Sequence, residues 1–290
     1  MRRLARIPAL LALAAAACSS PSTVTSVTTT VPTPMSTTTT VASDEICRIG
    51  DVRFGDDGLV AALGEDVGDA TAIASIHWTD SATCERVVIG FASDTGAPAS
   101  SLGPTGVTVL AYAAVVRVQL PPEVDATAIA DSLPDGDLVK QVFVVRDSDG
   151  MLSIDLQGAP GTAIMARAVA TSSPANLIID IIPSDAAVTP PGPTRSPAVI
   201  VMTPSPGSTI YPVSVEGYAA PGLDSLRLDL VASDGSFTRR NVPLNGWIDT
   251  WQGFEAAIGD GPSGMVSLFV GTVGPEGQQD EGATLSLDLP

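Results

Sequence analysis

Residues 142–156 read VFVVRDSDGMLSIDL. Two apolar runs rich in branched side chains flank Asp147-Ser148-Asp149-Gly150. Short polar side chains such as Asp and Ser bond their own local backbone, and Gly supplies positive φ without a Cβ clash, so this tetrad turns the chain. The stretch reads as a β-hairpin. Working outward, residues 107–120 (VTVLAYAAVVRVQL), 140–146, 163–170 and 176–182 (NLIIDII) share its character, being short and rich in Val, Ile and Leu. Later in the chain the pattern becomes an alternation. Val213-Val215-Gly217, Leu226-Leu228-Leu230, Phe254-Ala256-Ile258, Val266-Leu268-Val270 and Leu285-Leu287-Leu289 put an apolar or small residue at every second position. That is the period of a strand with one buried face. Such runs, with turn residues about every ten positions, predict a sandwich. Only residues 125–133 and 59–63 suggest helix, so the expected class is all-β.

Composition divides the chain. Residues 183–197 (PSDAAVTPPGPTRSP) are too proline-rich for a helix or a central strand, because Pro lacks the N–H that either would use. They separate two β-rich halves, predicted as domains over 44–183 and 198–290 with a linker over 184–197. Residues 19–43 hold 16 Ser or Thr, three Pro and no charge. Such a segment cannot bury a core, so 18–43 is expected to be a disordered tether.

Residues 1–17 have the form of an export leader. Arg2, Arg3 and Arg6 precede a short apolar run from Leu10, roughly half the ~20 residues of a membrane span. The run ends in Ala15-Ala16-Ala17-Cys18, which resembles a lipobox and implies a diacylglyceryl group on Cys18; the alternative is plain cleavage at Ala-x-Ala. With Cys18 lipidated, Cys47 and Cys84 remain as a pair in an oxidising compartment, where a disulfide is expected in preference to two free thiols. Against 32 Asp and Glu stand 14 Lys and Arg, three of them in the leader. A field this acidic argues against nucleic acid and anionic lipid, leaving neutral glycans, peptides or cationic partners.

Two resemblances refine the picture. His77-Trp78-Thr79, the run Cys84-Glu85-Arg86-Val87-Val88-Ile89-Gly90-Phe91, and the stretch 150–181 (GMLSIDLQGAPGTAIMARAVATSSPANLIIDI) resemble the AMIN-like domain of actinobacterial lipoproteins, over about 46–183. VIVMTPSPG from Val199, the stretch Tyr211-Pro212-Val213-Ser214-Val215-Glu216-Gly217-Tyr218-Ala219, Gly246-Trp247 and Trp251-Gln252-Gly253-Phe254-Glu255-Ala256 resemble the immunoglobulin-like domain of bacterial spore germination proteins, over about 198–289. Each resemblance implies a β-sandwich, and together they imply a role in the cell envelope. No spore association is carried over.

Catalytic motifs are sparse. The single histidine, His77, lies in the strand-like AIASIHW, so a multi-histidine metal site is excluded. Neither a G-x-S-x-G elbow nor a Walker-type loop occurs. The carboxylates cluster in turns such as Asp56-Asp57 and Asp147-x-Asp149, where turn chemistry accounts for them. No catalytic, cofactor or metal residue is therefore assigned. Trp247 and Trp251 are the candidate ligand contacts, either exposed to stack on a sugar or a partner, or folded over an open end of the sandwich. The expected function is that of a non-catalytic lipoprotein at the extracytoplasmic face of the cell membrane. It would bind cell-wall glycan, peptidoglycan or an exported protein, touching the membrane through its lipid alone. The alternative is a secreted glycan hydrolase, or an accessory of one, that uses acidic residues.

Overall fold

Pairing of branched strands dominates the computed structural model, which describes residues 47, 52–81, 83–134, 136–186 and 190–290. The leader, Cys18 and the whole tether lie outside the described residues. Among the described residues every regular element is β apart from a single 3-10 turn at Ala111–Ala113. The first half contributes β1 (Gly58–Leu63), β2 (Ala72–Ser81), β3 (Cys84–Ala92), β4 (Thr105–Leu110), β5 (Val115–Gln119), β6 (Ala126–Thr127) and β7 (Asp131–Ser132). It continues with β8 (Val139–Arg146), β9 (Leu152–Gly158), β10 (Ile164–Thr171) and β11 (Asn176–Pro183). Then come β12 (Thr194–Arg195), β13 (Val199–Thr203), β14 (Gly207–Ser208), β15 (Val213–Ala219) and β16 (Ser225–Ala232). The last four are β17 (Phe237–Pro243), β18 (Trp251–Ile258), β19 (Gly264–Val273) and β20 (Gln279–Leu289).

These strands make three sheets. A large sheet runs β1-β4-β5-β9-β8-β18-β15-β13-β12, with β7 also on β8. Its first part packs on the sheet β10-β11-β3-β2-β6, and Val87, Ile89, Val116, Ile154 and Ile179 fill the layer between them. Its second part packs on β14-β20-β19-β16-β17, around Val213, Val215, Leu228, Leu268 and Leu287. The result is a pair of sandwiches that share one sheet.

The join is a two-residue parallel pairing, Trp251↔Val145 and Gln252↔Arg146. Beyond it the outward faces of the two parts turn toward each other. Strands close to the join touch across the angle: Asp155 of β9 meets Tyr218 of β15, and Gln157 of β9 meets Met202 of β13. A third apolar layer, with Phe143, Val145, Ile200, Tyr218 and Trp251 at its centre, fills the angle. The proline-rich stretch therefore connects halves that are packed together, and its strand β12 sits at the sheet edge, where a missing N–H is tolerated.

Two expectations are corrected. Residues 59–63 are not helical but lie in β1, paired with β4 through a bulge between Leu59 and Ala61. Residues 125–133 hold no helix; Ala126–Thr127 runs parallel to β2 and Asp131–Ser132 pairs with β8. Both stretches are rich in Ala, whose helix preference of a few tenths of a kcal/mol per residue yields to edge pairing against a neighbouring sheet. The hairpin at Asp147 forms as read, the carboxylate accepting N–H from Asp149 and Met151, both at 2.9 Å.

Candidate functional site

The Asp147 turn and the strands it connects form one wall of a cleft between the two halves. Its volume is about 690 Å³. Tyr112, Arg117, Arg146 and Asp147 line it from the first half, and Glu216, Arg240, Trp247 and Glu255 from the second. The floor is the outward face of the shared sheet, which β15 and β18 can offer because their alternate residues are turned inward to the core.

A buried polar group fixes the base of the cleft. Arg117 and Asp155 are register partners on β5 and β9, and their side chains form a forked ion pair at 2.9 and 2.7 Å. The Tyr218 hydroxyl donates to the same carboxylate from the other half. Burial pushes the Tyr218 phenol well up, and the Asp155 charge adds to it, so the hydroxyl stays protonated as a donor. The hydrogen bond and charge of Asp155 likewise hold Arg117 firmly in its charged form. The group is satisfied internally and binds the halves together.

A second anchor stands at the rim. The Arg146 guanidinium lies 4.8 Å above the Trp247 ring. It donates to the carbonyls of Gly150 at 3.0 Å and Asp125 at 2.9 Å, and pairs with Asp249 at 3.3 Å. Trp247 is half-buried, with one face occupied by Arg146, and it remains available at the cleft edge. Trp251 is not an exposed contact: it is 7% exposed, edge-on to Phe143 at 5.0 Å, and its indole N–H donates to Asp131 at 2.8 Å. Parity explains the difference, because Trp251 begins a strand whose odd-numbered residues face the angle between the halves, whereas Trp247 lies in the loop before it.

Cys47 and Cys84 form a disulfide with Cα atoms 6.3 Å apart, stapling the start of the described chain to β3. Asp180 lies beside the bridge, and its carboxylate is taken by Arg86 and Arg167 from the strands on either side. His77 is exposed on β2, away from the residues lining the cleft.

The sequence reading had not singled out Arg117, Arg146, Asp155, Tyr218, Glu216 or Glu255. One signal was present: Arg117 and Asp155 each interrupt an apolar run, as in VVRVQL and LSIDL. A charge in the middle of such a run needs a partner, but the run itself does not say from which strand. Comparison of the chain with models of known families, with curated proteins and with solved structures finds no match.

Proposed function

We propose that this chain is a non-catalytic cell-envelope lipoprotein, held at the extracytoplasmic face of the cell membrane by lipid on Cys18, that binds a cell-wall component or an exported protein in the cleft. The observation that carries the reading is the composite cleft, built from both halves and held at its base by Arg117, Asp155 and Tyr218, which are already paired with one another. Such groups position a surface without being consumed by it. The disulfide is consistent with an oxidising compartment. The AMIN-like and immunoglobulin-like resemblances point the same way.

The test is co-sedimentation of the full chain with purified wall sacculi across a salt series. Saturable, salt-tolerant binding should weaken about tenfold in Arg240→Glu or Glu216→Lys. Binding that ignores both substitutions would remove the cleft from the reading. Cys18→Ser should shift the chain from the membrane to the soluble fraction; unchanged membrane association would refute the anchor.

One observation favours a second reading. Glu216 and Glu255 are direct cross-strand partners, both lining the cleft. Opposed Cβ atoms in such pairs are ≈ 4.5–5.5 Å apart, and retaining glycosidases hold their two carboxyl groups ≈ 5–5.5 Å apart. Muropeptide release from wall, abolished by Glu216→Gln or Glu255→Gln, would establish the hydrolase and overturn the binding assignment.

A further inference from the structure

The shared sheet contains an edge in its interior. β8 accompanies β18 only at Trp251 and Gln252, then turns away into the Asp147 hairpin, where the Asp147 N–H goes to Met151. β18 runs on to Ile258, paired with β15 on its other side in unbroken register. Backbone groups of a strand point alternately to its two edges. Ala257 gives its carbonyl to Arg240, which reaches over from β17, so odd-numbered residues of β18 address the side that β8 has left. Among the described residues no hydrogen bond reaches the N–H or C=O of Glu255 from that side. Gln252 to Ala257 all line the cleft.

Exposed edges are normally blunted by proline, bulges or lysine, because they template strand addition. Gly253, Phe254, Glu255 and Ala256 include no proline, lysine or bulge, and Glu255 is the one charge among them. Gly253 presents no side chain to the lane, and a Cβ there would only reach ordinary contact, 3.5 Å from Val145 Cγ1. The open lane is roughly 15 Å long at ~3.3 Å per residue. Its charge has a sign. Arg117 and Arg146 are matched by Asp155 and Asp249, which leaves Arg240 against Asp147, Glu216 and Glu255.

We infer that the cleft takes an extended, Lys- or Arg-bearing polypeptide segment of a partner protein as an added strand along the free edge of β18. The inference rests on the cleft being the ligand seat and names the class of ligand. Main-chain bonds to Glu255 would supply affinity, and the acidic surplus would select the sequence.

The probe is a short, end-capped peptide alternating Lys and Val, titrated against the full chain in detergent. A second version is N-methylated at every other residue, which removes the amide hydrogens of one peptide edge. Saturable binding should fall about tenfold or more with the methylated peptide. Glu255→Pro should cause a similar loss, since it deletes an N–H that serves no ladder bond. The Glu255 amide should also become protected from hydrogen exchange when peptide is bound. Equal binding of both peptides overturns strand addition even if Glu255→Pro fails to fold. A dimer of the chain that Glu255→Pro dissociates would make a second copy the occupant and overturn the partner assignment. Sacculus binding sensitive to Arg240→Glu, without peptide binding, refutes the strand but keeps the cleft; absence of both refutes the two together.

Discussion

Replacing Trp251 by Ala removes the side chain on which both halves close. Trp251 is 7% exposed and sits edge-to-face on Phe143, which is fully buried on β8. A buried aromatic withdraws up to ~250 Å² from water, worth up to about 6 kcal/mol at ~25 cal/mol per Å². Extended-chain areas overstate this value and the neighbours relax in part, so about 3–5 kcal/mol is expected for the truncation. Trp251→Phe keeps the ring contact but loses the bond to the exposed Asp131, and should cost only about 1–2 kcal/mol. Urea unfolding followed by circular dichroism, alongside calorimetry, reads both effects. The two sandwich cores draw on separate sets of residues, so the Ala variant should also split one transition into two. A loss under about 1 kcal/mol with one unchanged transition would refute the account of Trp251 as the wedge between the halves.

Three further outcomes follow from buried polar groups and the staple. Glu85 is 1% exposed and accepts N–H from Leu138 at 2.6 Å, Val139 at 2.8 Å and the Trp78 indole at 3.1 Å, tying β3 to the chain entering β8. Glu85→Ala strands these donors and should cost about 2–5 kcal/mol in urea unfolding; a loss below ~0.5 kcal/mol would show they find other partners. Burial alone would raise the Asp229 carboxyl, but hydrogen bonds from Arg239 and Gln279, with the Arg227 charge, hold it below its ordinary value. Its folded pKa lies below its unfolded one, so its contribution is complete above about pH 4 and lost as pH falls through the folded value. Asp229→Asn should therefore be less stable near neutrality and lose less on acidification, and parallel melting curves from neutral to acid pH would refute this. The Cys47–Cys84 bridge closes a separation of 37 residues, worth roughly 4 kcal/mol of loop-closure entropy. Cys84→Ser should lower stability by about that amount, and melting unaffected by reductant would contradict it.

Much of the fold was legible because strand patterning is local. The alternation from Val213 to Leu289 appears in the sequence because every second side chain must leave water, and the strands fall where that period runs. The Asp147 hairpin was legible for the same reason: the carboxylate that makes the turn bonds amides within four residues of itself. The pairing of Cys47 with Cys84 was legible from the count of cysteines together with the expected export of the chain. Ala-rich residues 59–63 and 125–133 were not legible, because their conformation is set by β4, β2 and β8, which lie elsewhere in the chain.

The site belongs to the second kind of information. Arg117, Asp155 and Tyr218 stand far apart in sequence, and only register and the folding of one sheet face onto another bring them together. Trp247 and Trp251 are four residues apart and equally aromatic, yet a loop leaves one at the rim while strand parity buries the other. The sequence alone determined the strands that carry an apolar run or a clear alternation, the turn at Asp147 and the acidic sign of the chain, since each depends on neighbours within a few residues. The tertiary structure decided that two sandwiches share a sheet, that their outward faces form a cleft, and that β18 keeps a free edge inside it. Those outcomes depend on which distant strands pair and for how many residues, a choice made by burial summed over the whole molecule.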